Sequence, residues 1–213
     1  MIPRDQVTGV ILCGGDARRM HGAEKPLQLV EGKSMVQHVR ERLAPQVSRI
    51  IISANREHDR YHELAPLDLL IADAQPGLGP LGGIATALPI AGTSYVFCCP
   101  GDAPFLHDTI VERLAGPMVA NASLELSVPA DGKRVQNLFL LLRTSAIDRL
   151  QRYLAVGGRS VHGFIDSCNH AVVDASDIRD TFLNVNTSEE LETANQLARK
   201  HPIHSSLSAL EKS

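Results

Sequence analysis

Val10-Ile11-Leu12-Cys13-Gly14-Gly15-Asp16-Ala17-Arg18-Arg19-Met20-His21-Gly22-Ala23-Glu24-Lys25-Pro26 runs from an apolar stretch directly into two adjacent glycines and then into a string of cations. A chain that leaves a buried strand through Gly14-Gly15 can bring bare backbone N–H groups against a phosphate. Arg18, Arg19 and Lys25 add positive charge beside it, so the stretch reads as a strand feeding a triphosphate-binding loop. No Gly-Lys-Ser/Thr follows at Walker distance, and the loop lacks the G-x-G-x-x-G spacing of dinucleotide folds. It is a third kind of phosphate loop.

Outward from this loop, apolar runs bounded by turn residues occur at Gly9 to Leu12, Arg49 to Ile52, Leu69 to Ile71, Tyr95 to Cys99, Leu124 to Val128 and Asn137 to Leu142. Helical patterns lie between several of them. Ser34 is an N-cap candidate for a helix with Met35, Val36, Val39, Leu43 and Val47 on its apolar face and Gln37, His38, Arg40 and Glu41 outside. Strands alternating with helices predict a parallel sheet with crossover helices, and such folds bind ligands at the carboxyl ends of the strands. Asp73 to Gly83 is too rich in glycine and proline for either element and reads as a long loop feeding a helix that contains Ile84 to Leu88. Beyond Ala130 the pattern suggests a hairpin around Asp131-Gly132 and a helix from about Ser145 to Tyr153.

The chain has 213 residues, 44% of them hydrophobic, enough for one sizeable core. The expectation is one domain over residues 1–200 with a flexible tail over 201–213. A net charge of −3 argues against a nonspecific nucleic-acid binder, which needs a basic excess. The amino-terminal residues lack a secretory pattern, and no apolar run approaches the ~20 residues of a membrane span, so a cytoplasmic protein is expected. Cys13, Cys98, Cys99 and Cys168 show no C-x-x-C spacing. Cys98 and Cys99, being neighbours, would face opposite sides of a strand, and all four read as free buried thiols. The nine histidines form no H-E-x-x-H pattern, and no Gly-x-Ser-x-Gly elbow occurs.

Gly101-Asp102-Ala103-Pro104-Phe105 follows the strand at Tyr95, which delivers Asp102 to the same sheet edge as the glycine loop. A strand-end carboxylate suits Mg²⁺, which takes few protein oxygens and completes its octahedron with water and phosphate.

Taken together, Leu12-x-Gly-Gly, Arg19-Met20, Glu24-Lys25-Pro26 and Asp102-x-Pro-Phe resemble the signature of nucleotidyltransferases with a Rossmann-like core, and among them the molybdenum cofactor guanylyltransferase family. The resemblance extends from about Val7 to Leu197. It implies an α/β, three-layer Rossmann-like nucleotidyltransferase fold with a mostly parallel central sheet. It further implies transfer of GMP from GTP to molybdopterin with release of pyrophosphate and dependence on Mg²⁺. Proteins that deliver molybdopterin or mature molybdoenzymes would be further partners. By the same resemblance Leu12, Cys13, Gly14, Gly15, Lys25, Asp73 and Asp102 bind the nucleotide, Arg19, Lys25 and Asp102 are catalytic, and Asp102 and Asn186 hold the metal. Leu183-Asn184-Val185-Asn186-Thr187 equally resembles a helix start.

Several positions depart from the family pattern. Ala17, His21 and Glu24 stand where serine or alanine, glycine and aspartate are common, and Cys13 replaces a usual alanine. Ser53 occupies the place of a nucleotide-contacting asparagine, with Asn55 two residues on and on the same face of an extended segment. Lys133 to Leu138 lacks a proline often found there, on the side that recognises the pterin. A cytidylyltransferase of the same fold, acting on molybdopterin or another phosphorylated acceptor, and a noncatalytic nucleotide-binding maturation factor are the alternatives.

Overall fold

A computed structural model describes residues 1–14, 24–75 and 77–200, the side chain of Lys200 excepted. The first strand, β1 (Val7–Leu12), is buried along its whole length. Its alternate side chains divide between two cores: Val7 and Ile11 enter one, Val10 and Leu12 the other. This is the pattern of a strand covered on both faces.

After β1 come the short strands β2 (Leu29–Val30) and β3 (Lys33–Ser34), helix α1 (Met35–Leu43), β4 (Arg49–Ser53), α2 (His58–Leu64), β5 (Leu69–Ile71) and α3 (Pro80–Ala87). The chain continues through β6 (Tyr95–Pro100), α4 (Ile110–Ala120), β7 (Leu126–Ala130), β8 (Leu140–Arg143), α5 (Ile147–Ala155), α6 (Val161–Asp166), β9 (His170–Asp174) and α7 (Ser188–Lys200). Seven strands form one sheet in the order β5-β4-β1-β6-β8-β7-β9, and β2 pairs with β3 in a separate small hairpin. Strands β5, β4, β1 and β6 are parallel neighbours. Strand β8 is antiparallel to both β6 and β7, while β9 is parallel to β7.

One face of the sheet is covered by Val36, Val39 and Leu43 of α1, Tyr61 of α2, and Ile110, Leu114 and Met118 of α4. The other is covered by Leu81 and Ile84 of α3, Leu150 of α5, and Phe164 and Ile165 of α6. The three-layer α/β arrangement with a mostly parallel sheet is therefore present. Cys98 lies in the second core and Cys99 in the first, and all four cysteines are free and buried. At Gly9 a Cβ would come within 2.7 Å of Leu43 Cδ2, so the missing side chain is what lets α1 lie close on the sheet.

The small hairpin changes one expectation. His38, expected on the outer face of α1, is 4% exposed and its Nε2 lies 2.8 Å from the Val30 carbonyl oxygen. Strands β2 and β3 cover that side of α1 and extend the core with Val30 and Met35, on which Ala194 and Ala198 of α7 also pack. The expected flexible tail over 201–213 lies outside the described residues. Among the described residues no helix is long and apolar enough to cross a membrane.

Candidate active site

The carboxyl ends of β1, β4, β5 and β6 form one rim, and the sheet hydrogen bonding runs one residue past the strands there. The Cys13 N–H donates to Ser53 O at 2.8 Å, and the Gly101 N–H to Leu12 O at 2.9 Å. Leu12 and Cys13 are buried and Gly14 emerges at the surface. A Cβ on Gly101 would fall 2.6 Å from Cys13 Sγ and 3.2 Å from Pro26 Cβ. Glycine at 101 therefore admits Pro26, which is buried in the short 3₁₀ turn Lys25–Leu27. By this contact the Lys25-Pro26 dipeptide is seated on the Gly101-Asp102 turn, although some 75 residues of chain separate them. Gly15 and Arg19, expected at the same loop, lie outside the described residues.

The Asp102 turn meets a lysine from near one end of the chain and the segment 185–186 from near the other. The Lys25 ammonium donates to Asn186 Oδ1 at 2.9 Å, and the Val185 N–H donates to Asp102 O at 3.0 Å. Burial pushes the Asp102 carboxyl above the usual carboxylate range; the Lys25 charge opposes the rise and Glu190 adds to it. Glu190 itself accepts from the backbone N–H groups of Asn186 at 2.7 Å and Thr187 at 3.0 Å, while its own N–H donates to Thr187 Oγ1 at 3.1 Å. This reciprocal pair is a capping box that starts α7. On the other side of the turn Glu24 pairs with Arg56 at 3.0 Å. Burial raises the Glu24 carboxyl against that pairing.

Asp73, beyond β5, forms the second part of the rim. Asn55 Nδ2 donates to Asp73 Oδ2 at 3.0 Å, and the Asp73 N–H donates to Asn55 Oδ1 at 2.8 Å. Ser53 Oγ lies 3.4 Å from Asp73 Oδ1, so both residues on that face of the extended segment reach the carboxylate. Gly14 adjoins the same group, since a Cβ there would be 3.3 Å from Asn55 Nδ2. Helix α3 approaches equally closely: a Cβ on Gly82 would lie 2.8 Å from Asp73 Oδ2, and one on Gly83 would lie 2.5 Å from Ser53 Oγ. Gly77-Leu78-Gly79-Pro80-Leu81-Gly82 has the G-x-G-x-x-G spacing, yet β5 ends at Ile71, so it is not the tight strand-to-helix turn of a dinucleotide site. Gly79 instead starts α3 at φ +57°, ψ −145°, a conformation reserved to glycine.

A hollow of about 450 Å³ begins next to Asp73 and separates α3 from α5. Leu78, Gly82 and Thr86 line one wall, and Ile147, Leu154 and Arg159 the other. The buried amide oxygens of Asn137 and Asn184 have no hydrogen-bond partner among the described residues. In sequence neither asparagine stands out from the string around it, 133–138 for Asn137 and 183–187 for Asn184. Glu190 carried no signal beyond the acids of a helix start, because its partners are backbone amides.

Among the described residues no group of three or more His, Cys, Asp or Glu side chains is placed to hold a metal. One half-buried strand-end carboxylate, with the segment carrying Asn186 hydrogen-bonded to the same turn, fits a hard divalent cation that takes most of its oxygens from substrate and water.

Residues 9–171 match the family described as the MobA-like NTP transferase domain. The chain belongs to this family and is a nucleotidyltransferase, of a kind that generally requires a divalent metal. Within the family it is similar to a molybdenum cofactor guanylyltransferase of Burkholderia orbicola, 41% identical over 192 residues that cover 87% of this chain and 93% of that one. It is also similar to the molybdenum cofactor guanylyltransferase of Shewanella sediminis, 37% identical over 196 residues that cover 92% and 98% of the two chains. The fold matches the crystal structure of molybdopterin-guanine dinucleotide biosynthesis protein A from Archaeoglobus fulgidus with a TM-score of 0.74 at 24% identity, covering 91% of this chain and 99% of that one.

Proposed function

We propose that this chain transfers GMP from GTP to molybdopterin, releasing pyrophosphate and giving the guanine dinucleotide form of the cofactor. The terminal phosphate of molybdopterin forms the new bond to the α-phosphorus of GTP, and the bond from that phosphorus to the bridging oxygen of pyrophosphate breaks. The attacking phosphate is already ionised, so no general base is needed and catalysis rests on position and charge. Of the loop residues that the resemblance assigns to the phosphates, Gly14 presents its backbone N–H to them, with Gly15 assigned beside it by the resemblance alone; the Cys13 N–H is taken by Ser53 O and Leu12 lies within the β1 ladder, so these two shape the floor of the loop and do not donate. Lys25 and Arg19 neutralise the charge that builds as pyrophosphate leaves. Asp102, with Asn186, would hold Mg²⁺, which neutralises phosphate charge and lowers the barrier to displacement. Asp73, fixed by Asn55, receives donors of the guanine or ribose. The hollow beside it, with Arg159 on its rim, takes the acceptor.

The convergence of Lys25, Asp102 and Asn186 beside Gly14 is the observation that best supports this reading. The reading places the enzyme in the cytoplasm, with molybdopterin-delivering and molybdoenzyme-maturing proteins as its partners. Thermal shift with GTP, CTP, UTP and ATP in Mg²⁺ tests the base. At one hundred times its dissociation constant a nucleotide stabilises by about 2.7 kcal/mol, and GTP alone is expected to do so at low concentration. Equal shifts from all four would remove the guanine assignment, and a preference for CTP would replace it with a cytidylyl transfer.

A further inference from the structure

The start of α7 is tied to the reaction centre by contacts that helix capping alone does not require. A capping box satisfies two backbone N–H groups: the side chain at the N-cap accepts from the third helical residue, and that residue's side chain accepts from the N-cap. Here Thr187 and Glu190 do this, and Glu190 Oε2 accepts a further bond, at 2.7 Å, from the N–H of Asn186. Asn186 precedes the N-cap and lies outside the helix. Its amide oxygen is the acceptor for Lys25 Nζ, across 161 positions of sequence. The next residue back, Val185, is 1% exposed and donates its N–H to the Asp102 carbonyl. Both flanks of Asn186 are thus pinned, one to Asp102 and the other to Glu190, leaving its side chain little freedom except to face Lys25.

We infer that Glu190 is a positioning residue for nucleotidyl transfer: its carboxylate fixes Asn186, and Asn186 in turn holds the Lys25 ammonium at the rim beside Asp102. The inference rests on the proposed phosphate role of Lys25. Truncating Glu190 releases the Asn186 backbone and lets the ammonium leave its place. Thr187 makes the other half of the same cap, and among the described residues its hydrogen bonds go to Glu190 and within α7, so it supplies the control for simple helix stability.

The test compares Glu190→Ala, Glu190→Gln, Thr187→Ala, Asn186→Ala and the double variant Glu190→Ala/Asn186→Ala, each measured for melting temperature and for turnover of GTP with molybdopterin and Mg²⁺. Glu190→Ala is expected to lower kcat about tenfold, the scale on which supporting groups around a site act, with a smaller change in KM for GTP. Glu190→Gln, which keeps an acceptor oxygen, restores most of the rate. Thr187→Ala loses as much melting temperature as Glu190→Ala but keeps wild-type kcat. In the Asn186→Ala background the Glu190→Ala change has no further effect, because the two act as one unit. Equal rate losses in Glu190→Ala and Thr187→Ala, or additive losses with Asn186→Ala, would reduce Glu190 to a helix cap and overturn the inference. If Glu190→Ala fails to fold, Glu190→Asp, one methylene short of the Asn186 N–H, takes its place in the same comparison. A wild-type protein that makes no guanine dinucleotide product counts against the proposed function instead, so the two failures are separable.

Discussion

Asp102 is held at the end of a buried strand in surroundings that favour its neutral form, and this has opposite consequences for stability and for metal binding. A carboxyl whose pKa is higher in the folded than in the unfolded protein contributes stability that is complete below the unfolded pKa and is lost as pH rises through the folded one. Without divalent cations at neutral pH, Asp102→Asn is therefore expected to melt above the wild type, the difference vanishing in acid. A cation bound to the ionised form reverses the balance. Raising Mg²⁺ should move the acid limb of GTP binding to lower pH in the wild type, and a limb indifferent to Mg²⁺ would place the metal elsewhere. Gly101 next to it tests the seating of Lys25. Gly101→Ala drives a methyl into Cys13 Sγ and should destabilise by about 1–3 kcal/mol, the range for overpacking a core. Cys13→Ala, which removes the nearer atom, should recover part of that loss in denaturant melts; no recovery would mean that the contact with Pro26 dominates. The types of these residues were legible in sequence because each sits in a short string with its own chemistry: Gly-Gly after a strand, Lys-Pro, Asp-x-Pro. Asn55 and Glu190 were harder to read, since their partners lie across the fold or on the main chain.

At the level of elements, the strands nearest the rim were legible and the others less so, for reasons of burial. Strands β1, β4 and β6 are covered on both faces and carry the apolar runs 10–12, 50–52 and 95–99. Strand β9 was missed: it is a sheet edge with Val172 half exposed and Asp174 at its end, so it has no such run. Strand β7 begins two residues later than expected, at Leu126, and continues through Pro129 to Ala130. Helix α4 runs through Gly116-Pro117, a pair that ordinarily interrupts helices, because Val111, Leu114, Ala115 and Met118 all face the core. The two-residue strands β2 and β3 are too short to show a period, and without them His38 reads as a surface residue. Its burial lowers its pKa, and its Nδ1 has no partner among the described residues. A depressed histidine contributes stability that is present above the unfolded pKa and lost as pH falls through the folded one. Urea melts of the wild type should therefore weaken between pH 8 and pH 5, and His38→Leu should show a smaller decline. An unchanged decline would mean that the hairpin does not seal that face of α1.

Over the whole molecule, the order β5-β4-β1-β6-β8-β7-β9 makes one sheet of two functional halves. The parallel half carries the rim proposed to bind the phosphates, and the mixed half, through α5 and the segment leading to α7, supplies the far wall of the hollow and the asparagine that meets Lys25. The alternation of strands and helices made the first half readable. The reversal at β8 was not, because it depends on contacts between distant segments, and for the same reason the placing of Asn186 at the site came from the family resemblance and not from any local pattern. Since β6 pairs with β1 on one side and with β8 on the other, one continuous ladder joins the halves, and residues 1–200 should unfold in one cooperative step, with tyrosine fluorescence and far-ultraviolet dichroism giving coincident urea transitions. Two separate transitions would divide the chain into independent units. The central claim is that the rim beside Gly14 performs guanylyl transfer with Lys25 and Asp102 as its charged groups. Its most direct test is pyrophosphate release and guanine dinucleotide formation from GTP, Mg²⁺ and molybdopterin by the wild type, Lys25→Ala and Asp102→Ala. The account predicts turnover by the wild type and a loss of about 10²–10³-fold in each variant, the scale of a removed transition-state contact, with folding intact. Undiminished product from either variant would contradict it.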